Sequence, residues 1–160
     1  MAANNRTTIW IVVASGVLLG CVDAQIETGV HDGMSAEQAL IVVQTSCLAS
    51  NEAVQMVLRE KTEDAKSRAR AASAQCELDA QAALGGIPAG AWANSHCRAV
   101  IETRRDFARW NLSDGIEFAM RPPSTVPMSD EDSASARHGL ALLGMHDYHT
   151  SMCEHQGPVG

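Results

Sequence analysis

From Ala36 to Leu84 the chain carries neither proline nor glycine. Both residues interrupt helices, and in their place stand alanine, glutamate, glutamine, arginine and leucine, all good helix formers. Apolar or small residues recur at Ala36, Leu40, Val43, Cys47, Ser50, Val54 and Leu58. They resume at Ala65, Ala69, Ala72, Cys76, Ala80 and Ala83. Steps of three and four are the helix period. Ser35 followed by Gln38 forms a capping box, with Met34 placed to staple onto the first turn. The pattern predicts one continuous helix from Ala36 to Leu84, with Lys61 as the charged interruption of its stripe. Ser50-Asn51, two good capping residues, mark the place where it would divide.

Gly85-Gly86 ends that helix, and Pro88 can open the next. The second helix is expected to run from about Ala89 to Leu112, with a short continuation from Ser113-Asp114 to Met120. Pro122-Pro123 forbids helix beyond it. A third is expected from Ser129 to about Glu154, with Asp130, Glu131 and Asp132 in its first turn, where the helix dipole favours anions. No strand and no repeat is visible. The expected fold class is all-α: a long helical hairpin with a third helix packed beside it.

Ahead of this body lies an uncharged run from Thr7 to Val22, preceded by Arg6. It is about 16 residues, short of the ~20 that span a bilayer and suited to a signal-peptide core. Leu18-Leu19-Gly20-Cys21 resembles the lipobox of bacterial lipoprotein precursors. The resemblance covers this segment alone. It implies a signal peptide over residues 1–20 and diacylation of Cys21, which becomes the mature N-terminus. Val22 after the cysteine implies an outer-membrane protein facing the periplasm. Val22-Asp23-Ala24 is the rival cleavage site, giving a signal peptide over 1–24 and a secreted protein. Residues 21–34 read as a polar tether, with a turn at His31-Asp32-Gly33, and 35–160 as the helical domain.

Export decides the chemistry of the cysteines. The chain has five cysteines. With Cys21 lipidated or removed, Cys47, Cys76, Cys97 and Cys153 remain, and an oxidising compartment makes them two disulfides. On a continuous helix Cys47 and Cys76 lie about 43 Å apart, far beyond the reach of a bridge. If Leu84 faces Ala89 across the glycine turn, Cys76 meets Cys97 at one level. The expected bridges are therefore Cys76–Cys97 and Cys47–Cys153.

The formal net charge of −7 argues against a nucleic-acid partner. Arg104, Arg105 and Arg109 sit among Glu102 and Asp106 and read as a solvated face. Met145, His146, His149, Met152 and His155 cluster near the C-terminus. At helical spacing His146, His149 and Cys153 share one side, a donor set suited to copper or zinc. The competing reading has Cys153 oxidised and the histidines as a polar face near a helix C-terminus. His31, His96 and His138 look scattered. Phe107, Trp110 and Phe118 read as core, and Trp92, beside the turn, as an exposed partner contact. Asn111-Leu112-Ser113 matches a glycosylation acceptor. No nucleophile motif, metalloprotease motif, phosphate loop or Cys-x-x-Cys pair is present, so no enzyme is expected. The expectation is an envelope protein with a structural or adaptor role. It would be held to the membrane by lipid and would bind a protein partner or itself. A metal-binding periplasmic protein and a soluble secreted protein are the alternatives.

Overall fold

The computed structural model describes residues 27–122 and 127–155. The export segment, Cys21 and both cleavage sites lie outside them. The protein is all-α, as expected: α1 (Ala36–Glu60), α2 (Glu63–Gly86), α3 (Ser95–Trp110), α4 (Ile116–Met120) and α5 (Asp130–His155). Among the described residues no helix is long and apolar enough to cross a membrane.

The helix expected over 36–84 is two helices. The chain reverses at Lys61, which takes a left-handed conformation (φ 53°) and donates its N–H to the Val57 carbonyl. Thr62 then caps α2, its side chain accepting from the Ala65 N–H, with Glu63 and Asp64 in the first turn. The division falls at Lys61-Thr62 and not at Ser50-Asn51. α1 and α2 lie side by side as the hairpin, and this reverses the expected cysteine pairing. Cys47 lies 14 residues before Lys61 and Cys76 lies 14 after Thr62, so they meet. The bridges are Cys47–Cys76 (Cα separation 4.7 Å) and Cys97–Cys153 (4.8 Å). Neither Cys76–Cys97 nor Cys47–Cys153 forms. A straight helix would hold Cys47 and Cys76 too far apart to bridge; the corner at Lys61 brings them together.

The hairpin seam is made of small residues. Ala65, Ala69, Ser73, Cys76, Ala80 and Ala83 of α2 are buried, against Ala39, Val43, Cys47, Ser50 and Val57 of α1. Ser50 and Ser73 share a buried hydrogen bond of 2.8 Å. Apolar packing divides into two clusters. One holds Val43, the Cys47–Cys76 bridge, Ala80, Ile87, Trp92, Cys97 and Ile101. The other, at the corner, holds Val57, Ala65, Ala69, Ile116 and Ala119. Trp92, expected to be exposed, is only 6 % accessible and belongs to the first. It follows directly on the short 3-10 turn Ala89–Ala91.

From Glu27 on, the segment expected as tether packs on the hairpin. Thr28 Oγ1 and the Gly29 N–H both donate to Asp79 Oδ1 (3.1 and 2.7 Å), and Val30 is buried. These bonds answer the burial of Asp79, a carboxylate only 2 % accessible. His31-Asp32-Gly33 forms the expected turn, with Gly33 at φ 82°.

Candidate functional site

Two features carry chemistry: an apolar groove at the corner end, and the seam between α3 and α5.

The groove starts from a change in helix pitch. After Trp110 the chain widens into a π-turn, Asn111–Gly115, before tightening into α4. The added residue turns Trp110 and Phe118 to one side, where Phe107, Trp110 and Phe118 stack in sequence with ring planes 27° apart. The turn needs glycine at 115: a Cβ there would stand 2.6 Å from Asn111 Oδ1 and 2.7 Å from the Trp110 ring. The aromatic trio, expected as core, is half-buried and floors an open groove. Leu58 of α1 forms one wall, and Gly139, Leu140 and Leu143 of α5 form the other. The volume is about 860 Å³, with a smaller compartment of about 380 Å³ beside Asn51, Val54 and Asn111. Leu140 is 68 % exposed, and Leu58, Leu143 and Met128 are exposed as well. At the rim Arg121 lies over the Phe118 ring (4.5 Å) and pairs with Asp132. Lys61 Nζ donates to the carbonyls of Ala119 and Arg121, closing the end of α4. The rim cations are thus committed to the fold. The Asn111 amide is buried and finds no partner among the described residues.

The α3–α5 seam holds the histidines. α5 buries only Gly139, Leu142 and His146. His146 hydrogen-bonds Thr150 (3.3 Å) and lies 3.4 Å from an Asp147 oxygen. Burial holds its basicity below the ordinary imidazole range. The Arg104 guanidinium lowers it further, and Asp147 offsets part of the effect. Arg104, expected on a solvated face, is half-buried. Burial lowers its pKa, Asp147 opposes that shift, and its Nε has no partner among the described residues. Arg109 does lie at the surface, paired with Glu77, while Arg105, paired with Asp106, is half-buried.

His149 turns to His96 in the first turn of α3. Their Nδ1 atoms are 3.0 Å apart and their ring centres 5.3 Å. Those two distances together mean that each ring aims its Nδ1 nearly straight at the other. That is the geometry of a shared proton, one ring donating and the other accepting. Tyr148 packs its ring against both.

The donors expected for copper or zinc therefore do not converge. His146 and His149 address different partners, Cys153 is bridged to Cys97, Met145 is exposed, and His155 bonds the Ser151 carbonyl. Among the described residues no three His, Cys, Asp or Glu side chains are grouped to hold an ion. The sequence reading missed His96. Its signal was Cys97 beside it: pairing Cys97 with Cys153 carries His96 to His149, one turn earlier on α5.

Comparison with known proteins finds no matching family model, no matching curated protein and no matching solved structure.

Proposed function

We propose that this chain is an exported, lipid-anchored adaptor of a bacterial cell envelope. On this reading residues 1–20 are a signal peptide, Cys21 carries the lipid, and the body faces the periplasm. Its groove would dock an apolar helical segment of another envelope protein. The carrying observation is the groove: an aromatic floor between two helix walls, with Leu58, Leu140 and Leu143 exposed along it. A helix laid between two helices is a common way to cover such a surface. Contiguous exposed apolar surface marks interaction sites more often than it occurs by accident. The two disulfides support an oxidising compartment.

Labelling cells with a tagged fatty acid, followed by fractionation, tests the anchor. Label on the membrane-bound wild type, lost in Cys21→Ala, is the expected result. Unlabelled soluble protein beginning at Gln25 would replace the anchor with simple secretion. For docking, a photocrosslinker at position 143 should give one discrete heterologous adduct, weakened by Leu58→Asp. An adduct only with a second copy of this chain would make the groove a self-association surface.

A further inference from the structure

The helix that forms one wall of the groove packs along α3 but buries few side chains there. α5 runs for 26 residues yet buries only three, and just one of those, Leu142, is a large apolar side chain. Its packing on the rest of the molecule is mainly on α3, with the π-turn as a second neighbour. The contacts along that seam, read from the N-terminal end, begin with the Asp132–Arg121 pair. Next comes a chain in which Trp110 Nε1 donates to Ser135 Oγ (3.0 Å), which donates to Asp114 Oδ2 (2.8 Å). Then come Gly139 under the Trp110 ring, Leu142, His146, His149 on His96, and the bridge to Cys97. Past Leu142 at its centre, the C-terminal half of the seam is occupied by imidazoles.

We propose that α5 is an acid-released arm, which lifts from α3 as its seam histidines take up protons and pivots on the Cys97–Cys153 bridge, carrying its wall of the groove away from the aromatic floor. The histidines give this a direction. His146 is buried beside the Arg104 guanidinium, so a proton there places two cations in one partly dry interface, with Asp147, itself exposed, as the nearby anion. His96 and His149 bond through one proton between facing Nδ1 atoms. One further proton, on the donor ring's Nε2, leaves that bond in place; when both rings are cationic two N–H groups oppose each other and the bond is lost. Asn94, which caps α3 and donates to the Cys153 carbonyl, and the Tyr148 ring complete the surroundings of the pair. The disulfide keeps the released helix attached. Only the effect of that movement on docking rests on the adaptor reading; the release of α5 stands without it.

Hydrogen exchange read by mass spectrometry on the full, disulfide-intact protein tests this, at pH 7.5 and 5.2 with intrinsic rates corrected and no partner added. The expected result is at least a tenfold loss of protection across 130–152, with α1 and α2 unchanged. His146→Leu, which seats an apolar side chain in the same place, should cut that loss to threefold or less. Should His146→Leu fail to fold, His96→Gln serves. It bonds a neutral His149 but cannot form a pair of cations, and should shift the release to lower pH. Retained protection of α5 in the wild type overturns the proposal. So does parallel loss in every helix, or an acid loss unchanged in both variants. A protein that releases α5 in acid but gives no adduct at position 143 at pH 7.5 would sink the docking reading alone.

Discussion

Gly139 lies under the Trp110 ring so closely that a Cβ would stand 2.6–2.8 Å from three indole atoms. The indole is held by its bond to Ser135 and by stacking on Phe107, so it yields only by giving up those contacts. Gly144, five residues on in the same helix, has open space around it. Alanine favours a helix over glycine at either position by about 1 kcal/mol. Gly139→Ala should nonetheless destabilise the protein by ~1–3 kcal/mol through overpacking, whereas Gly144→Ala should stabilise it by up to ~1 kcal/mol. Urea unfolding of the two variants gives the comparison. To a reading of helix propensity both glycines simply weaken α5, because the clash that separates them involves a tryptophan in another helix. His146 is similar. Its place on a helix face was legible, its burial beside Arg104 was not. With its folded basicity depressed, the unfolded chain takes the proton first. Stability from this residue is complete above the ordinary imidazole value of 6.5 and lost as pH falls through the folded one. Between pH 7 and 5, His146→Leu should therefore flatten the fall of thermal midpoint with acid, as a calorimetric series would show.

At the scale of elements, the corner of the hairpin separates what could be read from what could not. The start of α1 was legible because Ser35 and Gln38 are local, and both bonds of the box form (3.2 and 3.0 Å). The start of α3 at Asn94 and the turn from Lys61 to Thr62 were missed. The small-residue stripe keeps its phase across the corner, and the residue that reverses the chain is a lysine where glycine or asparagine would have advertised the left-handed conformation. The available signal was Thr62 followed by two acids, an N-cap in a run of helix formers. Thr62→Ala should cost about 1 kcal/mol in chemical denaturation. Along the seam, Ser50→Ala leaves the Ser73 hydroxyl buried without its partner and should cost ~1–3 kcal/mol. The double change with Ser73→Ala should cost no more than the single one, since both polar groups then leave together. A double-mutant cycle shows the difference as a coupling between the two sites.

Across the whole molecule, the all-α class followed from composition and period, and the use of four cysteines in two bridges from the expectation of export. The connectivity followed from topology, and a single misplaced corner inverted it. The bridges close loops with separations of 29 and 56 residues. Each is worth about 3–4 kcal/mol on the chain-entropy model, a large share of what a one-domain protein has. Changing both Cys47 and Cys76 to serine should lower stability by that amount, with the helices retained at low temperature by circular dichroism. The groove was not legible, because it is assembled from α1, the π-turn and α5, and only the floor is local in sequence.

The Cys47–Cys76 bridge also sets how the molecule bears load. It is a covalent rung 14 residues from the corner, within the first of the two apolar clusters. A pull on the N-terminus meets first the Thr28 and Gly29 bonds to Asp79, then the open half of the hairpin, and then the rung, where unzipping of α1 from α2 stops. The corner half, with Val57, Ala65 and Ile116 and the Leu58 wall of the groove, is shielded from that force. In an optical trap the oxidised protein should yield in a short first step and hold. The reduced protein should lengthen further by the loop that the rung had closed.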